Sequence, residues 1–469
     1  MKKKWLLNAA ILLVLAPFSI FASQTLDFEG VMEKALKNAY DIKISGLDIH
    51  ISAAARKKAY SLYYPTLNAR MNSEYVKDLT DGTTQVVAVG NTVLIDNTMY
   101  QSLLSVAASY NLFDFGSTGK KVLIADKDVD VKKTIYNQSK RDIKLKVLSI
   151  YSDLLIGFKE FESKKELIGL YRELSLTKER LFHAGTISKL EMVDEALKVV
   201  EMIDTTENLK LKLKNLLSDI SFYTGEIYDA EGLFVSDFTG YYEDFHVDFK
   251  PEKSLEAKIY DLEIEKKKAE LEVLKSDRLP RFGLYTNYTW YGNDLDGYAD
   301  SVRYMKPRNY FVGISATWPL FEGFKADADI ERAALEIERL KTEKNKKLAE
   351  LTNRYSKTDE TRRIYANGVA NQKEMLTKVE TNLSMSGRLT EQKAAEWADF
   401  LNRKIELVNR RFEMAKATII KISAVMELRI LAEETDPFSG NLFSSHSEPG
   451  TRLRVREAGY LFAGGALID

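Results

Sequence analysis

The chain has 469 residues, with 68 Lys and Arg against 69 Asp and Glu, so its charge is balanced and no cationic block marks a nucleic-acid footprint. It contains no cysteine, which excludes disulfides, thiolate metal sites and an acylated cysteine after a leader. Eight prolines and 29% charged residues favour long helices over a string of globular domains.

Lys2, Lys3 and Lys4 precede an apolar run from Trp5 to Phe18 that is interrupted by Asn8 and followed by Ala22 and Ser23. The order basic, apolar, small is that of a secretory signal, residues 1–22, with cleavage expected near Ala22. Roughly 14 apolar residues fall short of the ~20 needed by a spanning helix, and no later window supplies them. Any membrane span must therefore be built from strands.

A first repeat, 23–250, opens with an amphipathic helix from about Asp27 to Leu62, carrying Val31, Ala35, Leu36, Ile42 and Ile49 and stopped at Tyr63-Tyr64-Pro65. The period then changes to two, with Leu67, Ala69, Met71, Ser73 and Tyr75 alternating with Asn68, Arg70, Asn72 and Glu74, which predicts a half-buried strand over 66–76. A loop rich in Asp, Gly, Thr and Asn runs to about Asn97, and a second strand, 102–113, carries Leu104, Val106, Ala108, Tyr110 and Leu112 on one face. Leu112-Phe113-Asp114-Phe115-Gly116 follows, then a charged helical pattern from Gly119 to Ala184, on the order of 100 Å long. Gly185 interrupts it and helix resumes from Ser188 to Tyr223.

A second repeat, 251–434, gives the same order again. Helix from Pro251 to Asp277 stops at Leu279-Pro280, and strand alternation returns over 281–291 with Phe282, Leu284, Thr286, Tyr288 and Trp290 on one face. A Gly/Asp/Asn loop precedes the strand 309–320, with Tyr310, Val312, Ile314, Ala316 and Trp318. Leu320-Phe321-Glu322-Gly323 answers the first copy's Leu112–Gly116 with one residue fewer. Helix follows from Lys325 to Ser386, Gly387 is read as its break, and helix resumes from Thr390 to Glu434. A spacing of roughly 200 residues marks one duplicated unit, and the tail 435–469 shows no period.

Strands of about ten residues suit a tilted transmembrane β-strand. Four per chain cannot close a barrel, and open edges do not survive in lipid, so strands must be shared among copies. Three copies would give twelve strands, although closure alone does not select three. The helices carry apolar residues three and four apart, as in Ala333, Ile337, Leu340 and Lys344, the narrow seam of a coiled coil.

The sequence resembles the TolC-like outer-membrane efflux protein family from about Leu26 to Leu431. The resemblance is carried by the duplication, by Pro65 and Pro280 before each first strand, and by the Leu-Phe-(Asp/Glu) strand exits. It is carried also by the tips Ala184-Gly185-Thr186-Ile187-Ser188 and Ser386-Gly387-Arg388-Leu389-Thr390. It implies a mainly α fold with a membrane β-barrel part: a homotrimer with a twelve-strand barrel in outer-membrane lipid and a helical barrel in the periplasm. Such a protein is the channel of a tripartite efflux or type I secretion system. It implies adaptor docking at Gly185, Thr186, Ile187, Gly387 and Leu389, with a periplasmic adaptor leading to an inner-membrane pump. Arg388 matches an arginine that holds the closed tunnel and Glu191 its acidic partner in the neighbouring subunit; Lys393 and Glu396 stand where relatives place a pair of acidic residues.

Nothing in the sequence assembles an enzyme or calls for a cofactor. His50, His183, His246 and His446 are scattered without metal-ligand spacing, and Gly464-Gly465 lacks the strand and lysine of a phosphate loop. The alternative reading is a non-conducting coiled-coil spacer or adhesin of the cell envelope.

Overall fold

A computed structural model of the chain describes residues 25–77, 83–88, 91–95, 99–229, 233–238, 249–389 and 394–432; the predicted signal 1–22 and the tail 435–469 lie outside the described residues. In chain order the elements are β1 (Thr25–Leu26), α1 (Phe28–Asn38), α2 (Tyr40–Tyr60), β2 (Thr66–Val76), β3 (Thr83–Ala88), β4 (Asn91–Ile95), β5 (Met99–Phe113), α3 (Ser117–His183), α4 (Lys189–Thr224) and β6 (Phe234–Val235). There follow α5 (Leu255–Ser276), β7 (Arg281–Asp294), α6 (Tyr298–Arg303), β8 (Lys306–Thr317), α7 (Lys325–Leu389) and α8 (Ala394–Ala432). They divide into two compact units, one formed by Asp41–Lys140 and Phe249–Arg354, the other by Met1–Tyr40, Arg141–Asp248 and Tyr355–Asp469.

Three local expectations need correction. The predicted first helix is two, because Ala39 leaves the helical region (φ −54°, ψ 129°) while Asn38 Nδ2 donates to the Thr224 carbonyl at 2.6 Å. That tertiary tie overrides a run of good helix formers. Gly387 does not end its helix, since α7 continues to Leu389. A helical glycine costs about 1 kcal/mol but breaks nothing by itself; here a Cβ would lie 3.4 Å from Phe400 Cε2, an ordinary contact with α8. The predicted loop after the first strand contains a further hairpin, β3 with β4.

In the first unit β2, β5, β7 and β8 form one antiparallel sheet of order β2-β5-β7-β8, apart from the β3–β4 hairpin. Helices α2, α3, α5 and α7 follow in the same order, tied by Asp48 to Lys132 at 3.6 Å, Asp128 to Lys266 at 2.8 Å and Lys267 to Glu336 at 2.7 Å. Such pairs are partly exposed and align the helices more than they stabilise them. Ala333 and Ile337 of the predicted seam are buried, whereas Lys344 pairs with Asp261 at 2.7 Å.

In the second unit α3 lies between α4 and α8. Gly157 lets α3 approach Leu213 of α4, and Leu167 and Leu174 pack with Ala398, Leu401, Ile405 and Val408. Beside them β1 and β6 form a short parallel pair around Tyr151, which is fully buried. Its hydroxyl reaches the Leu26 and Ser236 carbonyls at 3.0 and 2.7 Å, and its ring meets Phe28 and Phe238 at centroid distances of 5.3 and 5.5 Å. Burial pushes the Tyr151 phenol upward, so it stays a neutral donor.

Tyr151→Phe keeps the ring contacts and removes only the hydroxyl. We expect a loss of about 1–3 kcal/mol, read as a thermal midpoint lowered by several degrees in circular dichroism; an unchanged midpoint would show that the two carbonyls are satisfied without it.

Candidate functional site

The register of the sheet decides what its two faces are. Met71 lies opposite Leu104, which lies opposite Trp290; Ala69 opposite Val106, opposite Tyr288, opposite Tyr310; Leu67 opposite Ala108, opposite Thr286, opposite Val312. The apolar sets of all four strands thus share one face, because residues paired across a ladder point the same way. The other face carries Asn68, Arg70, Asn72, Glu74, Ser105, Asn287 and Thr289. The half-buried strand expected over 66–76 is exposed on both faces, with Leu67 74% and Met71 53% exposed. A sheet of four strands lacks the curvature to enclose anything of its own. At the end where β2 meets β5, Tyr100 meets Tyr75 in a tilted contact and Tyr298 edge-on, at centroid distances of 4.9 and 4.7 Å. At the opposite end Tyr64, Phe113, Phe115, Trp318, Phe321 and Phe324 are all exposed.

Each β-hairpin returns to a helix through the same turn. Phe115 and Gly116 have φ of 53° and 85°, Gly323 and Phe324 φ of 60° and 65°, and a helix starts at the next residue in both. The amide of Ser117 bonds the Asp114 carbonyl at 3.1 Å and that of Lys325 the Glu322 carbonyl at 3.3 Å. The two turns therefore match without the missing residue inferred from sequence; phenylalanine and glycine have merely exchanged places. A left-handed non-glycine residue carries strain, and the first turn offsets it with a buried carboxylate. Asp114 accepts from the Thr118 amide at 2.8 Å, the Thr118 hydroxyl at 2.5 Å, Asn111 Nδ2 at 2.7 Å and the Gly116 amide at 3.2 Å. Burial works against its ionisation, but these bonds outweigh it and hold the carboxyl below its ordinary range.

The α3–α4 tip is a compact turn. Gly185, with φ of 72°, ends α3 in a Schellman motif: its amide bonds the Phe182 carbonyl at 2.9 Å and the Thr186 amide that of Leu181 at 2.9 Å. Ser188 caps α4 by accepting from the Glu191 amide at 3.2 Å. Thr186 and Glu191 are exposed and Ile187 is half-buried. Glu191 therefore occupies the first turn of α4, where a carboxylate suits the helix dipole. At the second tip Gly387, Arg388 and Leu389 lie on α7 and Glu396 on α8, the side chains of Arg388, Leu389 and Glu396 being outside the description, while Lys393 lies outside the described residues. Within one chain Glu191 is not brought to a described partner from the second tip.

Two features went unpredicted. Trp397 Nε1 donates to Glu173 Oε1 at 3.1 Å, fixing the start of α8 to α3. On α4, Leu190, Val193, Leu197 and Val200 form an exposed stripe. Its spacing of three and four was the signal that could have found it. Among the described residues no group of His, Cys, Asp and Glu is placed to hold a metal ion, and no helix is long and apolar enough to cross a membrane.

No protein-family model and no curated protein sequence matches the chain. Solved structures do. CusC, studied for conformational changes accompanying folding and transmembrane channel formation, is 12% identical with a TM-score of 0.70 over 86% of this chain and 91% of that one. The Campylobacter jejuni CmeC outer membrane channel is 14% identical with a TM-score of 0.66 over 86% of each chain. The outer membrane protein VceC from Vibrio cholerae is 12% identical with a TM-score of 0.64 over 85% of this chain and 95% of that one. The chain has the fold of TolC-like outer-membrane channels.

The Asp114 carboxylate has a lowered folded value, so its stabilisation is fully present above the unfolded value of about 3.9 and is lost as pH falls through the folded one. Asp114→Asn should cost about 1–3 kcal/mol at neutral pH, with the gap to wild type narrowing in urea melts below about pH 3.9; a gap constant with pH would contradict the assignment. At the tip, Ser188→Ala should weaken the start of α4 by about 1 kcal/mol, seen as faster amide exchange over 189–192 with the rest of α4 unaffected.

Proposed function

We propose that the chain is the channel subunit of a tripartite efflux or type I secretion system, a passive exit duct rather than an enzyme. The observation that carries this reading is a four-stranded sheet with an exposed apolar face and with β2 and β8 unpaired at its two edges among the described residues. In water such a sheet would aggregate; in lipid each unpaired edge group costs several kcal/mol. Both problems vanish if copies close a barrel with the apolar face outward and the polar face lining the lumen. Three copies give twelve strands, and the aromatic residues at both ends of the sheet suit the two membrane interfaces.

The helical edges support the same closure. α2 exposes Ile44, Leu47 and Ile51, α4 exposes Leu190, Val193, Leu197 and Val200, and α7 exposes Leu335, Ile364, Met375 and Met385. On α2 and α4 the spacing of three and four makes narrow stripes of the kind that neighbouring helices cover in a coiled coil, while on α7 the exposed apolar residues are scattered. Outer-membrane location with the helices in the periplasm follows from this arrangement and from the channels that share the fold. The tips carry the docking role for a periplasmic adaptor and, through it, an inner-membrane pump: Gly185, Thr186 and Ile187 at one, Gly387 and Leu389 at the other. Glu191 and Arg388 of neighbouring copies form the latch of the closed state, with Lys393 and Glu396 beside it. An exposed pair contributes about 0–1 kcal/mol, weak enough for a gate that must open.

Single-channel recording of the purified protein in a planar bilayer tests this. A small, mostly closed conductance that rises in both Glu191→Ala and Arg388→Ala is expected; absence of conductance in every form would overturn the duct and favour a coiled-coil spacer.

A further inference from the structure

The two hairpins are superposable in register as well as in turn geometry. Leu67 opposite Ala108 in the first corresponds to Phe282 opposite Ala316 in the second, and Ser73 opposite Ser102 corresponds to Tyr288 opposite Tyr310. The correspondence is anchored independently at the ends, where Pro65 matches Pro280 before the first strand of each hairpin and Asp114 matches Glu322 after the last. A single chain thus contains one finished example of how a repeat joins the next, the β5–β7 pair, and one unfinished example at the β8 edge.

We infer that a second copy adds its β2 to this chain's β8 in the register of β5 with β7, placing Ser73 of one copy opposite Ile314 of the other. This rests on the closed-barrel reading above and names its seam. In the internal junction Tyr110 pairs with Leu284, Ala108 with Thr286, Val106 with Tyr288 and Leu104 with Trp290. Carried across the repeat, these become Trp318 with Ala69, Ala316 with Met71, Ile314 with Ser73 and Val312 with Tyr75. Met71, Ser73 and Tyr75 of β2 and Val312, Ile314 and Ala316 of β8 lie on the apolar face, so the barrel's outer surface continues unbroken across the seam. A shift by one residue would turn one strand's polar face into lipid.

The junction below the strands follows from the same correspondence. Ser276 Oγ donates to the Phe115 carbonyl at 3.4 Å and Ser117 Oγ to Asp277 Oδ1 at 2.9 Å, which binds the end of α5 to the first exit turn. At the seam Ser61 of the second copy takes the place of Ser276 and faces the Gly323 carbonyl, while Leu62 takes the place of Asp277. The surface waiting there is mixed: a pocket of about 270 Å³ bordered on one side by Trp318, Leu320, Phe321 and Phe324 and on the other by Glu322 and the Arg278–Asp327 ion pair. An end of α2 reading Ser61-Leu62-Tyr63-Tyr64 fits it, and the exposed stripe of α2 then lies along the outer edge of α7.

The absence of cysteine makes the test clean. Ile314→Cys is combined in turn with Met71→Cys, Ser73→Cys and Tyr75→Cys, and the detergent-purified protein is oxidised with copper phenanthroline and run on non-reducing gels. Within one chain β2 and β8 are three strand spacings apart, roughly 14 Å, too far for a disulfide, so any link joins copies. The Ser73→Cys combination should give covalent oligomers about tenfold faster than either neighbour, since only directly opposed positions meet disulfide geometry without movement. Fastest linking with Met71→Cys or Tyr75→Cys, or no linking in a protein still oligomeric by light scattering, would overturn the register and leave the barrel standing. A monomer that links in no combination would overturn both.

Discussion

A β-sheet edge is a row of hydrogen-bonding groups that must be satisfied, and among the described residues the four-stranded sheet has two of them, on β2 and on β8. Almost everything else in the molecule is arranged around that constraint. The sheet has one apolar and one polar face because its four strands keep a common register, and the helices α2, α3, α5 and α7 repeat the strand order, leaving α2 and α7 as the corresponding outer helices.

Between sheet and helices stand the two exit turns. Both bend the chain from strand to helix within two left-handed residues, yet they are stabilised differently. Asp114 gathers four hydrogen bonds and is buried, whereas Glu322, one methylene longer, is exposed and only its carbonyl serves the turn. The internal turn is tied to the end of α5 through Ser117 and Asp277; the second ends in exposed aromatic residues at the edge of the protomer. The duplicated unit has thus diverged at the turn that, in the first copy, is tied to α5 of its own chain.

Much of the architecture was legible in the sequence because it rests on period. Alternation located β2, β5, β7 and β8 to within a few residues, and proline and glycine located most helix ends. Failures came where tertiary contacts decide. The break at Ala39 goes with Asn38 reaching Thr224, and a single glycine at 387 is too small a cost to end α7. The Phe–Gly exchange between exit turns was hidden because a glycine is expected at every left-handed position, and Phe324 is not one. For the tips, sequence reading picked out Gly185, Thr186 and Ile187, whose turn geometry is set by local bonds, but it gave Glu191 only a latch role and missed its place in the cap of α4. The anchoring of α8 by Trp397 to Glu173 joins residues far apart in the chain and has no local signature.

The order of the sheet also sets a timetable. β5 cannot pair with β7 until α3, α4 and α5 have been synthesised and delivered, so the first hairpin must wait, with one side open, while those three helices follow it. Non-local pairing of this kind is slow and leaves intermediates prone to wrong association. The early β2–β5 hairpin therefore spends the longest time unprotected, and substitutions that make it stickier will lower yield through misassembly even where the finished protein is as stable as before.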